Sequence, residues 1–263
     1  MAFHPIMLPQ SREDVSSEAT LRRSSVAETF PVTSFLLLLV IAVYALELIA
    51  QWKFSGSIPL ALGGGVEGRI TWFLGSLRLP EVIEGEYWRL LAAAFLHANS
   101  IHLLMNGFFL WDMGRYCEPL ISSWKFLVIY VGCALGGSLG SLAYSRLFLG
   151  PPLCDLRSSV GASGALCGLL GVLLVYSLRC GQREMLQGLV RWLAYIVVLT
   201  VAFPGIDHPA HIGGFLTGCA FGMTVSDYIG SRAASRWRYP GYLAAALVVV
   251  SLAFAVWHYL ANR

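Results

Sequence analysis

Residues Gly161–Gly171 read GASGALCGLLG, and the apolar run continues through VLLVYSL to Leu178. A helix needs about 20 such residues to cross the hydrocarbon of a bilayer. Ser163 is the polar exception at the start of the run, ringed by glycine and alanine. Reading this stretch as a membrane helix rather than a soluble turn decides the fold, and the composition agrees. Of 263 residues, 57% are hydrophobic and 13% charged, where soluble domains carry about 25% charged residues. Mean hydropathy is +0.67. The chain reads as an all-α polytopic membrane protein, with the lipid bilayer as its surroundings. A net charge of +3, with the arginines spread between spans, excludes nucleic acid as a partner. The six cysteines form no CxxC pair, so no metal site, redox motif or cofactor is expected.

Seven spans follow from the apolar runs, at about 34–51, the mid-90s to 114, 124–146, 160–178, 187–203, 208–229 and 240–260. They divide the chain into a tail (1–33), a six-helix core (34–229) with an external loop at about 52–88, and a linker with a C-terminal helix (230–263). The tail has no apolar core before residue 33, so it is not a cleavable signal peptide. With the N-terminus inside, the cytoplasmic segments hold Arg12, Arg22, Arg23, Arg115, Lys125, Arg179, Arg183, Arg191, Arg232, Arg236 and Arg238. The outer segments hold fewer: Lys53, Arg69, Arg78, Arg89, Arg146, Arg157 and Arg263. The excess of positive charge favours a cytoplasmic N-terminus.

This topology makes spans two, four and six enter from one face. His97, His102 and Asn106 begin span two, Ser163 begins span four, and Asp207, His208 and His211 begin span six. At about 1.5 Å per residue they share one shallow depth. Glycines recur every fourth residue at 132, 136 and 140 in span three and at 214, 218 and 222 in span six, with 161, 164, 168 and 171 in span four. Small residues so spaced line one face and let helix backbones approach closely.

Ser163 and His211 are the sharpest pair. A serine hydroxyl becomes a nucleophile only when a base takes its proton, and histidine is the usual base. The competing reading of Ser163 is a hydroxyl bonded to a carbonyl one turn back. GASG is not the soluble nucleophile elbow, because position 165 is alanine and no strand precedes it. Asp207, one turn before His211, invites a triad, but a solvated carboxylate at the membrane edge is the preferred reading. His208 sits higher and faces water. His102 and Asn106, four apart, face the same way and read equally as oxyanion donors or as interhelical glue. Glu47 reads as a snorkelling or internally paired carboxylate, Trp88 and Arg89 as an interface anchor.

Together these stretches resemble the rhomboid family of intramembrane serine proteases. YWRLL at 87–91, HANSIHLLMN at 97–106, GASG at 161–164 and AHIGGFLTG at 210–218 match it in order and spacing. The resemblance covers roughly residues 70–225 and implies a six-helix rhomboid core, here with a seventh C-terminal transmembrane helix. By resemblance, Ser163 is the nucleophile and His211 the general base of a dyad that lacks an acid. His102 and Asn106, with the Ser163 N–H, supply oxyanion donors, and Gly161 lies beside them. His97 is structural, Trp88 and Arg89 form a structural, lipid-facing motif, and Gly214 and Gly218 pack behind the histidine. The substrates implied are transmembrane proteins, cut within or beside their membrane segment at the outer face. Short loops and no recognisable targeting peptide favour a bacterial inner membrane over an organellar or eukaryotic one. Cys167 stands where the family often has an aromatic ring against the histidine. A catalytically inactive rhomboid-like binding factor and a small-solute transporter are the other readings. The sequence carries no signal for an oligomeric state.

Overall fold

The computed structural model describes residues 30–58, 64–202, 205–225 and 235–262. The greater part of the tail, with Arg12, Arg22 and Arg23, lies outside the described residues, as does Arg232. The elements run α1 (Pro31–Ser55), α2 (Gly68–Phe73), α3 (Leu79–Ile83), α4 (Arg89–Ala92), a 3-10 turn (Ala93–Phe95), α5 (Ser100–Ile121), α6 (Ser123–Phe148), α7 (Leu153–Leu156), α8 (Ser163–Cys180), α9 (Arg183–Ala202), α10 (His208–Gly222) and α11 (Arg238–Asn262). Among the described residues there is no strand, only isolated bridges joining Gly65 to Asn99 and Leu77 to Ser159. Four helices, α1, α6, α8 and α11, are long and apolar enough by themselves to cross a membrane. The architecture is the all-α polytopic one expected, a helical core with an added C-terminal helix.

The bundle is built around α6, α8 and α10, and glycine decides how near they come. A Cβ on Gly214 would lie 1.9 Å from the Gly164 carbonyl oxygen, and one on Gly218 would lie 1.9 Å from that of Gly168. On the other side of α10, a Cβ on Gly136 would meet Thr217 Oγ1 at 2.1 Å, and one on Gly140 the Pro209 carbonyl at 2.6 Å. The three glycine-bearing faces read from the sequence therefore meet one another. The helices touch backbone to backbone, which is how membrane helices gain contact without a hydrophobic driving force.

Several helix ends differ from the sequence reading, most of them for a local reason. α1 starts at Pro31, and Glu118 of α5 caps it by accepting the Val32 and Thr33 amides at 3.0 and 2.8 Å. α5 starts only at Ser100, because Asn99 is extended and its side chain accepts the His102 amide at 2.8 Å. That helix also runs past the expected end near 114 to Ile121, and Arg115 pairs with Asp112 at 2.6 Å. α10 stops at Gly222 rather than 229. Arg179 Nη1 donates to the Gly222, Met223 and Val225 carbonyls at 3.1, 3.1 and 2.7 Å. Carbonyls at a helix end need such partners, so Arg179, expected only as a topology charge, is a cap.

The segment between α1 and α5, expected to be external, folds on a buried cation. Arg89 is fully buried, donates to the Trp72 and Ser76 carbonyls at 2.7 and 3.1 Å and pairs with Glu86. Its guanidinium lies 4.8 Å from the Trp88 ring centre. This corrects the interface-anchor and lipid-facing reading for Arg89, which is the centre of the loop; Trp88 is half-buried over it. A buried charge is tolerated only when paired and hydrogen-bonded, as here.

Candidate active site

Ser163 is the first residue of α8, and His211 lies in the first turn of α10. Gly164 and Gly214 bring those two helix starts together, and the Ser163 Oγ stands 2.7 Å from His211 Nε2. The hydroxyl thus pairs with the imidazole rather than with a carbonyl one turn back. As an N-terminal helix residue, Ser163 also has a backbone N–H with no intrahelical acceptor.

Beside this pair sits a cluster of donors. Gly161 has φ of +126°, a conformation that side chains other than glycine rarely adopt. A Cβ there would come within 2.6 Å of His102 Cε1, 2.8 Å of His102 Nε2 and 3.5 Å of Asn106 Nδ2. The absence of a side chain at Gly161 is what lets both groups reach the backbone leading into Ser163. Asn106 Nδ2 is buried and has no hydrogen-bond partner among the described residues.

His97 stands behind His102, with ring centres 5.2 Å apart. It is fully buried in the loop ahead of α5. Burial, reinforced by the neighbouring His102, pushes its imidazole down to about 3 against the opposing pull of the Phe95 carbonyl. His97 is therefore neutral. Its backbone N–H donates to the Glu47 carboxylate at 3.1 Å, so Glu47 is internally paired, as one of its two readings held.

Asp207 is neither a triad acid nor a solvated carboxylate. Its side chain accepts the Ala210 amide at 3.0 Å as the N-cap of α10, and pairs with Arg157 at 2.6 Å and with Ser141 Oγ. His211 Nδ1 is buried and without a hydrogen-bond partner among the described residues. The arrangement is a two-residue pair whose helix is anchored by an aspartate. Asp before the His-Pro start of a helix is a capping signal, and that local part was readable; Ser141 and Arg157 are remote in sequence and were not. We expect Asp207→Ala to lower stability by about 1–2 kcal/mol through loss of the cap while reducing any hydrolytic rate by less than about tenfold. A triad acid would cost about 10⁴-fold instead. Thermal unfolding and turnover, measured on the same preparation, separate these outcomes.

His208 is exposed, as expected. Cys167 is buried, and among the described residues no aromatic ring stacks on His211. Ser163, His211, His102, Asn106 and Cys167 all line one cavity of about 1420 Å³ whose remaining walls are mainly apolar, including Met105, Phe109, Trp192 and Ile196. Among the described residues no group of three or more His, Cys, Asp or Glu side chains could hold a metal ion.

Fold and site together define a polytopic helical membrane protein with a serine–histidine pair held at one end of its bundle. Residues 84–228 match the Rhomboid domain, and the chain belongs to the rhomboid family. It is 28% identical over 205 residues to rhomboid protease GluP of Bacillus subtilis, covering 75% of this chain and 36% of that protein. RHOMBOID-like protein 6, mitochondrial, of Arabidopsis thaliana is 34% identical over 200 residues, covering 68% of this chain and 62% of that protein. Rhomboid-like protease 1 of Toxoplasma gondii is 32% identical over 178 residues, covering 65% and 57%. The chain thus spans less than two thirds of the length of each of these relatives.

Proposed function

We propose that the chain is an intramembrane serine endopeptidase acting through a Ser163–His211 dyad. The 2.7 Å contact between Oγ and Nε2 carries this reading. A general base must lie within about 2.6–3.2 Å of the proton it abstracts. Ser163 Oγ attacks the scissile carbonyl carbon and its proton passes to His211 Nε2. The oxyanion that forms accepts from the Ser163 N–H, Asn106 and His102. Collapse breaks the C–N bond, and the amine leaves with the proton held by His211. Water, deprotonated by the same imidazole, then hydrolyses the acyl-enzyme.

The cavity suits an extended peptide better than a small solute. Its volume of about 1420 Å³ exceeds the 300–1,000 Å³ typical of small-ligand pockets. The polar groups lie in the first turns of α8 and α10 and the early turns of α5, at one end of the bundle, where water can enter. A transporter would hold them near the midplane. The substrates are transmembrane proteins, cut within their membrane segment or just outside it. The positive-charge bias supports a cytoplasmic N-terminus and a site opening to the outer face.

Cleavage of a model transmembrane substrate in liposomes by the wild type and by Ser163→Ala tests the reading; equal rates would sink it. Asn106→Ala is expected to lower kcat by about 10²–10³-fold with little change in KM, because an oxyanion donor acts chiefly in the transition state. Steady-state kinetics on the same substrate check this. A fall in affinity alone would assign Asn106 to substrate binding.

A further inference from the structure

The seventh helix is tied to the active site through the external segment. Ser251 and His258 lie on the buried face of α11, together with Gly241, Ala244, Val248 and Ala255. Polar side chains on such a face commonly bond a neighbouring helix. Its two polar side chains instead reach loop carbonyls. Ser251 Oγ donates to the Trp88 carbonyl at 2.6 Å. His258 Nδ1 lies 2.8 Å from the Phe73 carbonyl, which can only accept, so this nitrogen carries a proton. Phe73 ends α2, where carbonyls lack helical partners. The Trp72 and Trp88 rings flank the imidazole with centres 5.4 and 5.6 Å away. Glu86 stands 3.8 Å from His258 Nε2 and pairs with Arg89 through its other oxygen.

From there the connection runs to the serine. Arg89 holds the Ser76 carbonyl at 3.1 Å. The next residue, Leu77, exchanges two backbone hydrogen bonds with Ser159, at 2.9 and 3.0 Å. The Ala93 carbonyl, one residue beyond α4, accepts the Gly161 amide at 2.8 Å. The external segment therefore grips the backbone leading into Ser163 at two points, and α11 grips the external segment.

We propose that α11 positions the active site, with His258 and Ser251 holding the external segment in the register that fixes Ser159–Gly161 and so the oxyanion pocket. Its catalytic consequence rests on Ser163 being the nucleophile; its structural consequence does not. His258 and Ser251 are positioning residues and touch no reacting atom.

The test uses the full chain in liposomes, as wild type, His258→Ala, His258→Asn and Ser251→Ala. Asparagine can present an amide N–H close to where the imidazole Nδ1–H stood. Two readouts are taken: hydrogen exchange of the Leu77, Ser159 and Gly161 amides, and the split of kcat from KM. For His258→Ala we expect exchange at these amides about tenfold faster, with kcat about tenfold lower and KM within about twofold, as a displaced reaction geometry requires. His258→Asn stays close to wild type in both readouts, and Ser251→Ala moves in the same direction as His258→Ala. Unchanged exchange in His258→Ala overturns the proposal. So does faster exchange with unchanged kcat, or an asparagine variant as perturbed as alanine. If the wild type cleaves nothing, the protease reading fails while the exchange measurement still decides whether α11 holds these amides.

Discussion

His211→Ala is expected to slow cleavage of a transmembrane substrate by roughly 10⁴-fold or more, with the protein still folded. Ser163→Ala should be as severe, and the double variant no worse than either. In the proposed dyad the two side chains act as one unit. Without the imidazole 2.7 Å from Oγ, the hydroxyl keeps its proton and is a weak nucleophile. Without the hydroxyl, the imidazole has nothing to activate. Such pairs are grossly non-additive, and a product of the two single losses would mean that they work separately. Stability should barely change, because Ser163 and His211 are held by glycine packing at Gly164 and Gly214 rather than by each other. Single-turnover cleavage and thermal unfolding of the same three variants check both statements.

The second large effect is expected at the helix crossing. Gly214→Val and Gly218→Val each place a Cβ about where the opposing carbonyl oxygen lies, 1.9 Å away for a Cβ alone. That neighbour is helix backbone, which cannot rotate aside as a side chain can. Gly164 has little room to retreat, since a Cβ on Gly137 would already be 3.2 Å from its Cα. Overpacking a core costs about 1–3 kcal/mol, and with backbone on both sides the upper end applies. The helices separate, and Ser163 moves from His211. A displacement of about 1 Å costs about 10²-fold in rate. Thermal inactivation and turnover should therefore fall together. Gly181→Ala supplies the control, because a Cβ there meets nothing within 4 Å, although its φ of +65° adds local strain.

Much of this was legible in the sequence, for topological reasons. Alternating spans put His102, Asn106, Ser163 and His211 at one end of the bundle, and the four-residue glycine spacing named the faces that meet. The polar anchors were less legible. Glu47, Glu118 and Asp207 find partners fifty or more residues away in the chain, at His97, Thr33 and Arg157. Periodicity describes which face a residue is on, not what stands opposite. Arg89 was misread because an arginine near aromatic residues at a span boundary is the usual sign of an interface anchor, and only the folded loop reveals carbonyls converging on it. For α11 the apolar run gave an added C-terminal helix and no more, and Trp88 and Phe73 could not be read as the groups it meets. Helix ends were missed where a side chain from another helix caps them, as Arg179 does for α10.

The most direct test is covalent labelling by a serine-reactive fluorophosphonate, with the modified residue mapped by mass spectrometry in the wild type and in His211→Ala. The dyad predicts one adduct on Ser163 in the wild type and its loss in His211→Ala. Undiminished labelling of Ser163 in His211→Ala, or an adduct on another serine instead, would contradict it.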